Sequence, residues 1–277
     1  MTDRKLLAFY GLKFNPFLPG VPVEDLWLPP GAESFLFRVE TLVMEGGFGL
    51  LTGEPGMGKS KLLQALAVRL GKVDGVIVGV AERPTSSLGD FYRELGHLFG
   101  VHLAPANRYG AFSALRQRWR AHFATSLFRP VLLLDEAQDA LASTLNELRL
   151  LGSEQFDSAH LLTVVLVGDA RLPDRFRSPD LLPLGTRIRT RLVLQTLARE
   201  DLAAFLDHLL DRAGNPGLLT APLKATLVEH AAGNPRVLCT LGGELLDTAL
   251  RRGRPILDEA LFLDLFDRTT KKQRVRA

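Results

Sequence analysis

The chain has 277 residues, of which 46% are hydrophobic and 23% are charged. These values are typical of a globular protein with one large or two linked domains, and they exclude a mostly disordered chain. The single cysteine, Cys239, excludes an intramolecular disulfide and most zinc sites, and it is typical of a reducing cytosol. We find no apolar run of the ~20 residues that span a bilayer and no signal-peptide pattern, so we expect a cytoplasmic protein without membrane contact.

The net charge of +3 is concentrated at the C-terminal end of the chain. Residues 271–277 contain four basic groups and no acid, and without them the net charge is −1. Arginine outnumbers lysine by 26 to 8. Arginine binds phosphate in a bidentate manner, but such a bias also arises from coding composition. Charge alone therefore leaves a nucleic-acid partner open.

The first 195 residues alternate between predicted strands and helices after a proline-rich start. Short apolar strands alternating with helices predict an α/β fold with a parallel sheet covered on both faces. A capping box of Ser87 and Asp90 marks the start of one of these helices. We expect strands over 48–52, 75–80, 131–134 and 160–167, and helices over 32–44, 59–70, 87–99, 110–127 and 142–151.

The pattern changes near residue 196, after which only amphipathic helices are predicted. These cover 196–213, 222–232, 236–251 and 258–268, with Gly/Pro breakers between them. We therefore expect four segments: a loop-rich N-terminal segment with one helix that packs near the nucleotide (1–47), an α/β core (48–195), a smaller all-helical lid domain (196–270) and a basic tail (271–277).

A phosphate-binding loop pattern, G-x-x-x-x-G-K-[ST], lies between the first core strand and the helix that follows it. Its glycines allow backbone N–H groups to turn towards phosphates, and the helix N-terminus adds positive charge. The lysine would reach the β and γ phosphates, and the serine would hold Mg²⁺. A chance glycine-rich turn does not explain this context. The residues are Gly53, Glu54, Pro55, Gly56, Met57, Gly58, Lys59 and Ser60.

Two carboxylates, Asp135 and Glu136, end the apolar strand predicted over 131–134. Alone, this pair could be a solvated turn. Downstream of a phosphate-binding loop, Asp135 is expected to bind Mg²⁺ through water and Glu136 to polarise an attacking water. Asp169 ends the next strand, where a group that senses the phosphate is expected if the two strands are neighbours; a simple turn is the alternative.

Arginines occupy two further places of interest. Arg187, Arg189 and Arg191 alternate with other residues, so they lie on one side of an extended segment, either as a solvated edge strand or as the source of an arginine finger. A finger that acts in trans requires an oligomer. Arg236 follows Asn234 and Pro235 at a predicted helix start, where it would be solvated or would contact the nucleotide.

These motifs, in this order and spacing, resemble an AAA+ ATPase with an α/β core followed by a helical lid. The opening segment Phe9–Phe17 (FYGLKFNPF) is similar to the start of ExeA-like ATPases and of transposition helper ATPases of the TniB/TnsC kind. The resemblance covers residues 9–268. It implies ATP and Mg²⁺ as cofactors and ATP hydrolysis as the activity.

The resemblance also assigns roles to individual residues. It implies Lys59 and Ser60 as Walker A, Asp135 and Glu136 as Walker B, Asp169 as sensor 1, Arg187 as the finger and Arg236 as sensor 2. The sequence departs from the family where Asp169 replaces the usual uncharged polar residue, which would repel phosphate unless Mg²⁺ or an arginine offsets it. It also departs at Lys61, where a second hydroxyl is common. The resemblance further implies that the end of the opening segment approaches the adenine, with the residues Asn15, Pro16 and Phe17.

The resemblance leaves two processes open. ExeA-like secretion ATPases carry a membrane segment and a peptidoglycan-binding region, and neither is found in these 277 residues. We therefore expect a cytoplasmic transposition helper that oligomerises on double-stranded DNA as a ring or filament. Its partners would be a transposase and a target-selection protein. The alternatives are an ATPase of a secretion or pilus system, or a nucleotide-dependent binding switch with little hydrolysis.

A stretch of the core over 107–130 contains five arginines and no acid. Arg116 and Arg120 are four residues apart and share a helical face. Such a stretch suits binding to a phosphate backbone, whereas a solvated helix with Trp119 in the core is the alternative. The expected DNA contacts are Arg108, Tyr109, Arg116, Arg118 and Arg120.

Overall fold

The computed structural model describes residues 2–103 and 107–274, and the side chains of 4–103 and 107–266. The chain folds into two compact units. The α/β unit comprises Leu28–Pro55 and Lys59–Leu194, and the helical unit comprises Met1–Trp27, Gly56–Gly58 and Gln195–Ala277.

The α/β unit is built on a parallel sheet of five strands among the described residues, with the order β2-β3-β6-β1-β7. Every residue of the three central strands is buried, as expected for a parallel sheet covered on both faces. The strands are β1 (Gly47–Gly53), β2 (Val78–Ala81), β3 (Val131–Leu134), β6 (Thr163–Gly168) and β7 (Ile188–Leu194); β4 (Ser153–Glu154) and β5 (Ala159–His160) form a separate hairpin.

The helices of this unit pack on the sheet through apolar faces. Ser87 caps one of them, since its Oγ accepts the Asp90 N–H at 3.1 Å, which confirms Ser87 as the predicted N-cap. Asp90 Oδ2 accepts from Ser87 Oγ at 2.7 Å, a side-chain contact in place of the backbone bond of a full capping box. The helices are α2 (Ala32–Glu45), α3 (Lys59–Gly71), α4 (Leu88–Phe99), α5 (Arg108–Ser126), α6 (Ala142–Gly152), α7 (Arg171–Arg175) and α8 (Leu182–Gly185).

Two predicted strands differ from the structure. The strand expected over 75–80 begins only at Val78, because Gly75 lies in a turn with a φ of +84°. The apolar run over 160–167 is divided between β5 and β6, and its first residues belong to the β4–β5 hairpin. The hairpin tip has three consecutive residues with positive φ, Gln155, Phe156 and Asp157. Because none of them is glycine, this turn is conformationally costly and carries no turn signature that the sequence could reveal.

The helical unit contains a helix that the sequence analysis did not predict, α1 (Thr2–Tyr10). Tyr10 is buried, and its hydroxyl donates to the Arg254 carbonyl at 3.0 Å. The segment predicted over 1–47 is thus divided, with its part up to Trp27 in the helical unit and its part from Leu28 in the α/β unit. The other helices are α9 (Arg199–Ala213), α10 (Ala221–Ala231), α11 (Pro235–Arg251) and α12 (Glu259–Arg274).

The predicted basic tail falls mostly outside the described residues. The backbone of 271–274 continues α12, whereas residues 275–277 and the tail side chains are not described. Among the helices that are described, none is both long and apolar enough to cross a bilayer.

Candidate nucleotide-binding site

The loop over 53–60 has the geometry that its glycines predict. Gly56 and Gly58 both have φ of +91°, a conformation that other residues rarely adopt. Lys59 is the first residue of α3, and its Nζ donates to the carbonyls of Gly53 at 2.7 Å and Glu54 at 3.1 Å. The ammonium group therefore lies over the loop, at a helix N-terminus, where an anion is favoured.

The strand order brings the predicted carboxylates to the same edge of the sheet as this loop. β6 lies between β1 and β3, with Thr52 opposite Gly168 and Leu134 opposite Leu166. The prediction that the strand ending at Asp169 is a neighbour of the strand ending at Asp135 is therefore confirmed. The carboxyl ends of parallel strands are where α/β sheets bind ligands.

Asp135 and Glu136 are held in different ways at the end of β3. Asp135 is only 9% exposed, and its Oδ1 accepts the Glu136 N–H at 2.9 Å. Glu136 has a φ of +50°, in the left-handed region that is unfavourable for a glutamate. Strain of this kind persists only where the surroundings enforce it, so the direction of the Glu136 side chain is set by its neighbours.

The chemistry of these residues fits an ATP·Mg²⁺ complex. Ser60 and Asp135 supply hard oxygen ligands, which Mg²⁺ prefers together with water and nucleotide phosphates. Within the described residues, no group of three or more His, Cys, Asp or Glu side chains is arranged to hold a metal by itself. A magnesium ion here would therefore take most of its ligands from water and from the nucleotide.

Gln138 was not identified from the sequence, although it links two of the predicted residues. Its Nε2 donates to Glu136 Oε2 at 2.6 Å, and its Oε1 accepts the Asp169 backbone N–H at 3.1 Å. The side chain is buried, at 7% exposure. The sequence carries no local signal for it, because the three-residue turn Ala137–Asp139 also contains the polar Asp139.

Asp169 has the arginine partner that its predicted place requires. Arg171 donates from Nε at 2.7 Å and from its backbone N–H at 2.9 Å to the Asp169 carboxylate. These hydrogen bonds, with the charge of Lys59 as a weaker contribution, lower the pKa of Asp169. Asp169 is therefore an ion-paired carboxylate, and Arg171 offsets the repulsion that an aspartate would exert on phosphate.

The three arginines around β7 have different partners. Arg187 is ion-paired with Asp157 and also donates to the Pro183 carbonyl. Arg189 pairs with Glu45 at 2.9 Å, and Arg191 donates to the Gly185 carbonyl at 3.0 Å. Exposed Arg189 and Arg191 alternate with buried Ile188 and Thr190 along this edge strand, so these two arginines lie on one side as predicted. Arg187 does not belong to that side, because it precedes β7 in a turn and is half-buried.

Within the helical unit, the start of α11 lies against the middle of the loop. Asn234 caps the helix, since its Oδ1 accepts the Arg236 N–H at 3.0 Å, and Pro235 occupies the first turn. A Cβ atom on Gly56 would lie 2.9 Å from Arg236 Cβ and 2.5 Å from Asn234 Oδ1. Arg236 is therefore close to the loop segment of its own unit.

The opening segment is anchored by its aromatic residue. Phe17 is buried, and its ring would be 2.5 Å from a Cβ on Gly242 in α11. Its ring is therefore part of the core of the helical unit, and the expected approach of this segment to the adenine stays a prediction. Asn15 accepts the Phe17 N–H at 3.0 Å and lines a cavity of about 210 Å³ together with Phe14 and Lys13. Pro16 is buried beside them.

Lys61, the other residue expected near the nucleotide, lies in the first turn of α3. Its Nζ donates to Gln64 Oε1 at 3.2 Å, one turn further along the helix. This contact is typical of an exposed helical pair.

The arginines of α5 differ from the predicted basic surface because acids from α6 and β4 neutralise them. Arg108 makes two hydrogen bonds to buried Glu147, at 3.1 and 2.5 Å. Arg120 pairs with Glu154 at 2.5 Å. Residues 107–130 contain no acid, but acidic residues from later elements lie beside their arginines in the folded chain.

Arg116 is partly buried and bonds to the backbone of its own chain, so its guanidinium is not an exposed group as a DNA contact would be. Its guanidinium donates to the carbonyls of Leu150, Leu151 and Ser153 at the end of α6, and burial lowers its pKa. Trp119 is buried in the core, which confirms the alternative that the sequence left open for it. The side chains of Tyr109 and Arg118 are both exposed, that of Tyr109 to 83%.

With this geometry established, the comparisons with known proteins identify the domain. A family model described as "AAA domain" matches residues 43–176. This segment is just under half of the chain. The fold of the chain is accordingly the parallel-sheet P-loop AAA+ fold, followed by a helical part.

The AAA domain and its flanks resemble a curated bacterial protein. General secretion pathway protein A of Aeromonas hydrophila is 30% identical over 251 residues, which span 88% of this chain and 45% of that protein. The chain thus spans less than half the length of this relative. The relationship to ExeA-like proteins that the opening segment predicts is therefore supported.

Solved structures with the AAA fold also align with most of the chain. The ORC2 protein of Aeropyrum pernix, in ADPNP–ADP complexes, has a TM-score of 0.68 and 17% identity, covering 90% of this chain and 69% of that one. Cdc6p from Pyrobaculum aerophilum has a TM-score of 0.66 and 14% identity, with 87% and 67% covered. Drosophila ORC bound to DNA has a TM-score of 0.67 and 18% identity, with 95% and 65% covered. These similarities show the fold.

Proposed function

We propose that this chain binds ATP with Mg²⁺ and hydrolyses it. The observation that carries the proposal is the placement of Lys59, Asp135 and Glu136 at one edge of the sheet by the strand order β3-β6-β1. Many folds carry a glycine-rich turn, but few place a lysine at a helix N-terminus beside two strand-end carboxylates. That combination is the arrangement phosphoryl transfer needs.

The residues divide the work by their chemistry. Lys59 neutralises charge on the β and γ phosphates, and the backbone N–H groups of 56–58 bind the same oxygens. Ser60 and Asp135 would hold Mg²⁺, which would neutralise negative charge on the phosphate groups. Glu136 orients a water molecule and accepts one of its protons. The water oxygen attacks the γ-phosphorus of ATP, and the bond to ADP, the leaving group, breaks.

Two arginines complete the proposed site. Arg236, which lies close to Gly56 in the helical unit, contacts a phosphate oxygen of the bound nucleotide. Arg187 stabilises charge on the transferred phosphoryl group of a neighbouring subunit, so the active form is a homo-oligomer, either a ring or a filament. Asp169 with Arg171 reports the state of the phosphate to the end of β6.

For the biological process, we propose an ATPase of an ExeA-like secretion or assembly system. The similarity to General secretion pathway protein A supports this process, because it extends over 88% of the chain and beyond the nucleotide-binding motifs. A cytoplasmic location for this AAA domain remains a prediction. So does the assignment of the whole protein's activity, since the chain matches 45% of that relative.

The second candidate is the transposition helper that binds double-stranded DNA and acts with a transposase and a target-selection protein. The exposed side chains of Tyr109 and Arg118 on α5 favour it, since each could contact phosphate or sugar from its own side of the helix. The structurally similar Drosophila ORC is described as bound to DNA, which adds an analogy of fold. The ion-paired Arg108 and Arg120 contribute less to such a surface than the sequence suggests.

One experiment tests the proposal and separates the two processes. ATP turnover and assembly size are measured with and without double-stranded DNA at low salt, using wild type and Lys59→Ala. We expect Mg²⁺-dependent turnover and ATP-dependent assembly that Lys59→Ala abolishes. Rings or filaments on DNA with a non-hydrolysable ATP analogue, and none with ADP, would favour the transposition helper. Absence of Mg²⁺-dependent ATP turnover in the wild type, both with and without DNA, would overturn the proposal.

A further inference from the structure

The side chain of Gln138 connects the ends of β3 and β6 through its two amide atoms. It lies in the short turn Ala137–Asp139 that follows the Walker B carboxylates. Nε2 donates to Glu136 Oε2 at 2.6 Å and more weakly to Asp139 Oδ2 at 3.2 Å, while Oε1 accepts from the Asp169 backbone at 3.1 Å. Both strand ends therefore meet on one buried amide.

We call the two hydrogen bonds from Gln138 to Glu136 and to Asp169 the Gln138 bridge. Chemistry fixes which amide atom faces which partner. The backbone N–H of Asp169 can only donate, so it requires the carbonyl oxygen of the amide. An ionised carboxylate can only accept, so Glu136 requires the amide nitrogen. Turning the amide over would break both hydrogen bonds and leave a buried donor facing a donor, which is costly. Gln138 thus has one orientation that satisfies both neighbours.

Two features of the surrounding fold hold Gln138 in place. Arg175 donates to the carbonyls of Gln138 and Ala140 and so fixes the backbone of the turn. Gly168 leaves room for the amide, since a Cβ atom there would lie 2.5 Å from Gln138 Oε1. The bridge is therefore supported from the backbone side and from the strand that it contacts.

We propose that Gln138 is the positioning residue that sets the Glu136 carboxylate relative to the phosphate-facing end of β6. This inference rests on the proposed function, in which Glu136 accepts a proton from the attacking water. With Oε2 engaged by the amide, Oε1 is the oxygen that takes that proton. Because the other end of the amide is bound to Asp169, a displacement of the β6 end moves the carboxylate with it.

The test compares Gln138→Met, which keeps the side-chain length and removes both hydrogen bonds, with Thr144→Val as a matched control. Thr144 is also buried, and its hydroxyl has no hydrogen-bond partner among the described residues. We expect Gln138→Met to lower kcat by roughly 10- to 100-fold, because a small misplacement of a catalytic group has effects of this size. The ATP Kd should stay within about twofold of wild type, and Thr144→Val should change neither.

A double-mutant cycle distinguishes positioning from a general structural role. In a Glu136→Gln background, Gln138→Met should cause no further loss of the residual turnover, because the group through which it acts is already gone. Gly168→Ala, which displaces the amide without altering it, should reproduce the kcat loss of Gln138→Met. An additive loss in the Glu136→Gln background, or an unchanged kcat, would overturn the proposal.

The bridge can also be tested without nucleotide, which separates its failure from that of the proposed function. Urea unfolding of wild type, Gln138→Met, Glu136→Ala and the double variant should give non-additive shifts of the midpoint, as expected for two groups in contact. Additive shifts would overturn the bridge whether or not the protein hydrolyses ATP. Conversely, non-additive shifts in a protein without Lys59-dependent turnover would leave the bridge intact and refute only the proposed function.

Discussion

Arg187 is ion-paired with Asp157 of its own chain, at the tip of the β4–β5 hairpin. Hydrogen bonds from Ser153 and Arg187 lower the pKa of Asp157, so this carboxylate stays charged and keeps the arginine bound. The Arg187 side chain is 26% exposed in this pair. An arginine that acts on a neighbouring nucleotide must leave Asp157, and therefore the pair competes with the proposed contact in trans.

The first prediction concerns this arginine. Arg187→Ala should lower kcat by on the order of 10³-fold at protein concentrations where wild type is oligomeric, as loss of an arginine finger does. Arg189→Ala, which removes a neighbouring arginine paired with Glu45, is the control and should retain most of the activity. Steady-state ATP hydrolysis over a range of protein concentrations is the measurement.

Mixing variants tests whether the arginine acts between subunits. Arg187→Ala supplies an intact nucleotide site, and Lys59→Ala supplies an intact arginine, so the mixture should regain part of the turnover that each lacks alone. Asp157→Asn should raise turnover at low protein concentration because it releases Arg187 from its intramolecular partner. A mixture without activity would contradict a role for Arg187 in trans.

The second prediction concerns the stability of the α/β unit. Arg108→Met removes the guanidinium that pairs with Glu147, whose side chain is 3% exposed, and should lower the free energy of unfolding by about 1–3 kcal/mol. Arg118→Met, on an exposed position of the same helix, is the control and should change it by less than about 0.5 kcal/mol. Urea unfolding followed by circular dichroism measures both.

The pH dependence of this pair has a defined sign. Burial raises the pKa of Glu147, but hydrogen bonds from Arg108 and Tyr92 outweigh it, and the net shift is downward. A lowered pKa in the folded state stabilises the protein above the unfolded value, about 4.3, and this contribution is lost as the pH falls through the folded pKa. The stability difference between wild type and Arg108→Met should therefore shrink below about pH 4.3, and a difference that grows there would refute this account.

The third prediction separates the arginines of α5 in DNA binding. If the chain binds DNA, Arg118→Ala should weaken binding to all sequences alike and reduce the slope of log K against log salt by about one. Arg116→Ala should instead lower stability, because its guanidinium closes the end of α6. Fluorescence anisotropy with labelled duplexes over a salt series measures the binding. Equal effects of the two substitutions on DNA affinity would contradict this division.

The fourth prediction concerns Cys239 on α11. Burial raises the pKa of this thiol to about 12, so almost none of it is thiolate at neutral pH. Since the thiolate is the reactive form, a thiol reagent such as DTNB should react at least about 100-fold more slowly with the native protein than in urea. The single cysteine makes this ratio unambiguous. A native rate close to the denatured rate would show that α11 opens readily.

Motifs confined to one segment could be predicted from the sequence, whereas contacts between distant segments could not. The loop over 53–60 and the strand ending at Asp135 carry their chemistry in consecutive residues, so spacing alone locates them. The partners of the α5 arginines come from later elements: Glu147 and Glu154 lie 39 and 34 residues beyond Arg108 and Arg120. The sequence of α5 alone therefore does not reveal that Glu147 and Glu154 neutralise its arginines.

Gln138 and α1 illustrate two further reasons. Gln138 follows the Walker B pair by only two residues, but its importance depends on the pairing of β3 with β6, which only the folded sheet creates. The helix α1 is short, and its apolar residues Leu6 and Tyr10 become informative once α11 and Arg254 are known to receive them. In both cases the deciding contacts are tertiary, and local propensity does not encode them.

The central claim is that Glu136 activates water for hydrolysis of ATP held by the loop over 53–60. The most direct measurement is ATP turnover together with ATP affinity for wild type and Glu136→Gln, with Glu82→Gln as an exposed control from the end of β2. We predict unchanged affinity and a loss of turnover of at least about 100-fold for Glu136→Gln alone. Turnover that survives Glu136→Gln at the wild-type rate would contradict the account.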